Sequence, residues 1–211
     1  MEFKDRYEAG RMLASALEAY RGQSDVVVLA LPRGGVPVAW EVARALQASL
    51  DVLVVRKLGF PGQEELAMGA IGPGGVRVMS DVPPMWPVSE AEVQQVIERE
   101  QAELARRERL YRGERPPLAL TGRVVLLVDD GLATGATMHA AVLAVRAMQA
   151  QRIVVAVPVG SREAVQLLNT VADEVVCAHV PEPFRAVGIW YEDFGQTSDE
   201  EVRRLLQGDG A

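Results

Sequence analysis

Val124-Val125-Leu126-Leu127-Val128-Asp129-Asp130-Gly131-Leu132-Ala133-Thr134-Gly135-Ala136-Thr137 decides how the rest of this 211-residue chain is read. Five consecutive apolar residues, three of them valine, mark a strand buried on both faces. The strand runs into two carboxylates, and a turn of small residues leads into a helix expected over 137–149. In open parallel sheets, ligands bind beyond the carboxyl ends of the strands. Small residues let backbone N–H groups approach an anion, and the helix N-terminus adds unpaired donors and a favourable dipole. Thr134 and Thr137 contribute hydroxyls. Two aspartates would repel a bare phosphate, so the ligand must also carry hydroxyls or a metal ion, and a phosphorylated sugar meets that condition. Each feature alone fits an ordinary strand–turn–helix junction with a capping Asp; their coincidence favours a ligand site. Neither Gly-Lys-Ser/Thr nor Gly-x-Gly-x-x-Gly occurs, which excludes the P-loop and the dinucleotide fingerprint.

Outward from this junction, strands and helices alternate. Apolar runs at 26–31, 51–55, 152–157 and 174–177 read as strands, and helices are expected at 5–20, 36–46 and 161–170. Asp5 is positioned as an N-cap, and Pro37 falls in a first turn, where its missing N–H costs little. This order gives an α/β fold with a mainly parallel central sheet and helices on both faces. Residues 58–88 break the rhythm with many Gly and Pro; 67–71 and 76–80 form a hairpin candidate across Gly72-Pro73-Gly74-Gly75. Ser89 and Glu92 make a capping box that opens a charged helix to Tyr111, with Glu103–Arg107 and Glu108–Arg112 as i,i+4 pairs. Ser198 and Glu201 make a second box before a short C-terminal helix. The chain is thus one core over 1–179, with a flexible loop or β-ribbon at 58–88, and a small irregular cap over 180–211.

Composition excludes several classes. The balance of 22 basic against 29 acidic residues gives −7, and no Lys/Arg block is long enough to track nucleic acid. No apolar stretch is long enough to span a bilayer, and Met1-Glu2-Phe3-Lys4-Asp5-Arg6 lacks the apolar core of a signal peptide, so a soluble cytoplasmic protein is expected. Cys177 is the single cysteine and sits in an apolar run, as a buried hydrophobe rather than a nucleophile. Lys4 and Lys57 are the only lysines among the 22 cations, so an internal lysine calls for a reason.

The stretch 127–138 resembles the phosphoribosyl pyrophosphate loop of type I phosphoribosyltransferases, and the resemblance extends over most of the chain in order. Pro32-Arg33-Gly34-Gly35 stands where that family places a pyrophosphate-contacting loop. Arg56-Lys57 stands where it places a second pyrophosphate cation, 58–88 where it has its closing loop, and the C-terminal region where its hood holds the acceptor. The resemblance implies transfer of a phosphoribosyl group from phosphoribosyl pyrophosphate to a nitrogen acceptor such as a nucleobase. It implies Mg²⁺ as cofactor and, by the habit of the family, a homodimer. Asp129 and Asp130 would hold the ribose hydroxyls and, through water, the metal. Ala133, Thr134, Gly135, Ala136 and Thr137 would hold the 5-phosphate. Arg33, Gly34, Gly35 and either Arg56 or Lys57 would hold pyrophosphate, with Arg33, Lys57, Asp129 and Asp130 carrying catalysis.

Ala133 departs from the hypoxanthine and guanine enzymes, which carry an aspartate there, and Leu-Ala-Thr-Gly is closer to the adenine enzymes. Trp190 and Tyr191 would either stack on an acceptor base or anchor the cap to the core. Arg112 and Arg115, flanking Gly113, would either reach the site or lie on the surface. His139 and His179 carry no expected role. A non-catalytic sensor of phosphoribosyl pyrophosphate or a nucleotide is the alternative function, and hydrolysis or phosphorolysis at a ribosyl phosphate a third.

Overall fold

A computed structural model of the chain describes residues 2–80 and 86–208, the side chain of Glu65 excepted; residues 81–85 of the expected closing loop lie outside the described residues. The five apolar runs form one wholly parallel sheet. It consists of β1 (Val26–Ala30), β2 (Ser49–Val52), β6 (Val124–Val128), β7 (Arg152–Val159) and β8 (Glu174–His179), in the order β2-β1-β6-β7-β8. Every residue of β1 and β6 is buried, which is why both read as uninterrupted apolar runs rather than alternating ones. Val26, Val28 and Ala30 face a core that includes α1 (Arg6–Ala16), α2 (Gly35–Leu46), α3 (Glu90–Arg112) and α6 (Asp199–Leu206). Val27 and Leu29 face a second core with α4 (Ala136–Ala147) and α5 (Arg162–Leu168). Helices cover both faces, as the strand–helix alternation required.

The sheet order places the site. β1 pairs with β2 on one side and β6 on the other, so the chain's winding direction reverses between β1 and β6. Loops leaving the carboxyl ends of these two neighbours must diverge and open a crevice. Those loops are the one before α2 and the one before α4.

Several expectations are corrected. The first helix stops at Ala16 and continues as a 3-10 turn, Glu18–Tyr20, with Asp5 as its N-cap accepting from the Glu8 N–H at 2.8 Å. The second strand ends at Val52, and Arg56-Lys57 does not terminate it. Instead Arg56–Phe60 is a new strand, β3, antiparallel to β4 (Gln63–Ile71), which pairs with β5 (Arg77–Met79) across the 3-10 turn Pro73–Gly75. The hairpin of the sequence reading is therefore the outer part of a three-stranded ribbon, whose Leu58, Met68 and Ile71 are buried in the main core.

The α3 capping box forms in full, whereas Ser198 caps α6 alone, because the Glu201 carboxylate accepts from the Tyr7 hydroxyl at 2.7 Å. Arg112 turns from Glu108 to Asp51, bonding both its oxygens at 3.1 and 3.0 Å, and Arg115 lies 3.6 Å from the same carboxylate. Both arginines thus staple the end of α3 to β2 rather than reaching the site. Among the described residues, no helix is long and apolar enough to cross a membrane.

Candidate functional site

Pro32-Arg33-Gly34-Gly35 and Asp129-Asp130 meet at van der Waals limits. A Cβ on Gly34 would stand 2.1 Å from Asp130 Oδ2, and one on Gly35 would stand 2.7 Å from the Val128 carbonyl oxygen and 2.9 Å from Asp129 Cα. The glycines are there for proximity, since Gly34 itself has an ordinary helical conformation. At Gly35 the obstacle is backbone, which cannot rotate aside. Gly35→Ala should cost about 1–3 kcal/mol of stability, the range for overpacking; an unchanged urea midpoint would contradict this packing.

Asp129 accepts its neighbour's backbone N–H at 2.8 Å, which turns the side chain back over the start of the loop. Burial raises the Asp129 pKa well above the ordinary carboxylate range, with the adjacent Asp130 charge as the second cause. Burial raises Asp130 as well, but Arg6 opposes it. The Arg6 Nε donates to Asp130 Oδ2 at 2.8 Å, its Nη1 donates to the Gly195 carbonyl at 2.6 Å, and its guanidinium carbon lies 4.0 Å from the Phe194 ring centroid. Arg6 was invisible as a site residue in the sequence, standing 124 positions from its partner on an ordinary amphipathic helix.

Beyond the acids, Gly131, Ala133, Thr134, Gly135, Ala136, Thr137 and Val187 line a cleft of about 200 Å³. Gly135 takes φ +77° and sets Ala136 at the start of α4, so the first N–H groups of that helix point at the loop. Thr134 Oγ1 accepts the Ala136 N–H at 3.3 Å. A second cleft, of about 360 Å³, is lined by Leu31, Pro32, Arg56, Lys57, Arg107 and Thr137 among others. Thr137 belongs to both clefts.

The expected cations differ in commitment. Arg56 donates its Nε to Glu100 Oε2 at 2.8 Å, and its Nη2 lies 2.6 Å from the same oxygen; Glu100 is buried. Arg33 is exposed and lies 3.7 Å from Asp199, which also accepts the Tyr111 hydroxyl at 2.9 Å. Lys57 lines the second cleft and also an apolar groove of about 490 Å³ between the ribbon and α4, where His139 sits. In sequence Arg107 is only half of a surface pair, yet it reaches the second cleft from α3.

Residues 187–190 form a 3-10 turn over the acidic loop, where Val187 Cγ1 would lie 2.6 Å from a Cβ on Gly131. Tyr191 is buried between Phe3 and Phe194, with ring centroids 5.4 and 5.1 Å away, and its hydroxyl donates to the Asp130 carbonyl at 2.6 Å. That is the geometry of an anchor. The Phe3 N–H donates to the Trp190 carbonyl at 2.7 Å and the Glu192 N–H donates to the Phe3 carbonyl at 2.8 Å, so the N-terminal segment holds the cap down. Trp190 is half-buried, edge-on to His179 at 5.1 Å. Burial raises the Cys177 thiol to about 11, in keeping with an inert side chain.

The family model described as "Phosphoribosyl transferase domain" matches residues 3–185. Two Mycobacterium tuberculosis proteins, "Putative phosphoribosyl transferase Rv0571c" and "Putative phosphoribosyl transferase MT0597", are each 53% identical over 205 residues, covering 97% of this chain and 46% of theirs. The chain thus spans about half the length of the curated relatives it matches. Among solved structures, TT1426 from Thermus thermophilus is 46% identical with a TM-score of 0.91 over the whole of both chains. AQ2163 from Aquifex aeolicus, 12% identical with a TM-score of 0.52 over 95% of this chain and 82% of that one, shares the fold.

Proposed function

The chain belongs to the phosphoribosyl transferase domain family, and from that premise we propose that it transfers a phosphoribosyl group from phosphoribosyl pyrophosphate to a nitrogen acceptor, with release of pyrophosphate. The observation that carries this reading is the meeting of two clefts at Thr137. One is lined by Asp129, small residues and the start of a helix, the other by Lys57 and Arg107. A ligand spanning them would present ribose hydroxyls to acids, a 5-phosphate to N–H donors, and pyrophosphate to cations. Its anomeric carbon would then lie between the clefts.

At that carbon the bond to the pyrophosphate oxygen breaks and a bond to the acceptor nitrogen forms. The transition state has oxocarbenium character and asks for positioning and charge stabilisation more than covalent help. Thr134, Gly135, Ala136 and Thr137 fix the 5-phosphate. Asp129 and Asp130 fix the ribose hydroxyls, and Lys57 offsets charge gathering on the leaving pyrophosphate. Arg56, bound to buried Glu100, orders the ribbon root from which Lys57 projects. Arg33 and Gly34 border the pyrophosphate from the β1 side.

Mg²⁺ fits the donor set. Among the described residues no cluster of three or more metal-ligating side chains exists, and Mg²⁺ is held by one or two carboxylates completed by waters and substrate oxygens. Asp130 Oδ2 belongs to Arg6 and Asp129 Oδ1 to a backbone N–H. The other oxygen of each aspartate would be the one turned to the metal or its waters. When bound, the ion would supply charge neutralisation for the leaving pyrophosphate.

On the acceptor side, Ala133 is exposed and offers no proton-exchanging group, and Val187 overlies Gly131. The reading is tested by calorimetric titration with phosphoribosyl pyrophosphate and Mg²⁺, then by pyrophosphate release over a panel of nucleobases and other nitrogen acceptors. Binding with release for one acceptor is the expected result. Binding without release for any acceptor would replace the transferase with a sensor, and no binding would remove the site.

A further inference from the structure

We infer that Arg107 of α3 is a pyrophosphate-binding residue, held in reserve by Glu103 until the anion arrives. The inference rests on the proposed sugar-phosphate site and adds to it a cation from an element outside the loops that build it. Arg107 lines the same cleft as Pro32, Lys57 and Thr137. It reaches there from the helix that follows the ribbon, so its position depends on how α3 packs against the ribbon root.

Arg56 and Arg107, which line the cleft, and Arg33, next in sequence to its Pro32, differ in what their release would strand. Releasing Arg56 would unpair Glu100 Oε2, because Arg99 reaches only Oε1, at 3.0 Å; Glu100 is buried, and a buried carboxylate oxygen that loses its partner is penalised. Arg33 lies beside Asp199, at the start of α6. Arg107 donates its Nε to Glu103 Oε1 at 2.7 Å, an i,i+4 contact on a half-exposed helix face. Glu103 does not need it. Arg106 holds both oxygens of that carboxylate, with Nε to Oε2 at 2.8 Å and Nη2 to Oε1 at 3.0 Å. Water also reaches Glu103, whose side chain is 28% exposed. Arg107 can therefore exchange a weak surface pair for a charge-assisted, two-point contact to a phosphate and leave no unsatisfied group behind. A planar guanidinium suits that contact better than an ammonium, and it would complement Lys57, which acts as a point charge.

The experiment is calorimetric titration of the full chain, in Mg²⁺, with inorganic pyrophosphate and separately with ribose 5-phosphate. Arg107→Ala should weaken pyrophosphate about tenfold, the loss of one good hydrogen bond to a charged group, and leave ribose 5-phosphate unchanged. Arg107→Lys should recover part of that loss. Glu103→Gln should tighten pyrophosphate by freeing Arg107, whereas Glu98→Gln, a neutralisation on the same helix whose carboxylate bonds Gln94, should not. If the wild type binds both ligands and Arg107→Ala binds pyrophosphate equally well, Arg107 has no such role while the site stands. Equal weakening of both ligands in Arg107→Ala would make its contribution structural and overturn the inference. If the wild type binds neither ligand, the site and the inference fall together.

Discussion

Asp129→Asn is expected to weaken phosphoribosyl pyrophosphate binding by about a hundredfold or more and, at the same time, to raise thermal stability. The two effects share one cause. Asp129 is a carboxylate in a site that resists charge, because burial and the neighbouring Asp130 both push its pKa up. Such a group binds protons more tightly folded than unfolded. Its contribution to stability is therefore most favourable below the ordinary carboxylate range, falls as pH rises, and is fully lost above the raised folded pKa. Asn removes the penalty and keeps an oxygen for the Asp130 N–H, so the backbone turn at the acidic pair survives.

The melting temperature of the variant should match the wild type near about pH 4 and exceed it increasingly toward about pH 8. Binding moves the other way. A neutral amide forfeits charge-assisted contacts to two ribose hydroxyls or to metal-bound water, each worth about 1.5–3 kcal/mol. A variant that melts like the wild type at every pH would show that Asp129 carries no burial penalty. One that binds normally would show that the acids do not hold the sugar.

This opposition explains why the acidic pair was the most legible part of the site. Two adjacent carboxylates at the buried end of an apolar strand are a local conflict, and such conflicts are visible in a single stretch of sequence even where a distant residue such as Arg6 relieves part of them. The sheet was legible for a related reason: strands buried on both faces must be apolar throughout, so β1, β6 and β7 announce themselves. What sequence could not show was pairing at a distance. Arg6 with Asp130 and Arg112 with Asp51 are separated by 124 and 61 residues, and each arginine sits in a helix that supplies a reasonable local partner or none.

Tyr191 illustrates the same limit. An aromatic residue in an irregular segment fits a base platform and a buried anchor equally, until Phe3 is found on one side of it and Phe194 on the other. At 51–60 the error was of another kind. Leu53 and Val54 are buried as a link between two sheets rather than as strand, so burial hid a change of partner that periodicity alone does not mark.

Lys57→Ala should reduce turnover about a hundredfold while changing ribose 5-phosphate affinity by less than about twofold, and this asymmetry follows from where Lys57 stands. It belongs to the cleft shared with Pro32, Arg107 and Thr137 and is absent from the lining of the cleft formed by the 131–137 loop. Charge on the pyrophosphate oxygen grows only as the bond to the anomeric carbon lengthens, so a cation there acts mainly on the transition state. Loss of one preorganised group facing developing charge costs about 10²–10³ in rate in well-studied enzymes. Arg56 cannot substitute while Glu100 holds it, and Arg107, reaching the cleft from α3 rather than from the ribbon, would soften the loss rather than abolish it. Lys57→Arg should restore the charge but not the geometry, because a planar guanidinium does not present the compact point charge of an ammonium from the same fixed backbone position. Single-turnover rates, together with calorimetry on ribose 5-phosphate and pyrophosphate, separate the possibilities. A fall in rate matched by an equal fall in ribose 5-phosphate affinity would assign Lys57 to ground-state binding. A fall in rate with pyrophosphate affinity reduced and ribose 5-phosphate affinity intact would fix the leaving group on the ribbon side of Thr137. The acceptor would then have to approach from the side of Ala133 and Val187, because displacement at a single carbon brings the nucleophile in opposite the group that departs.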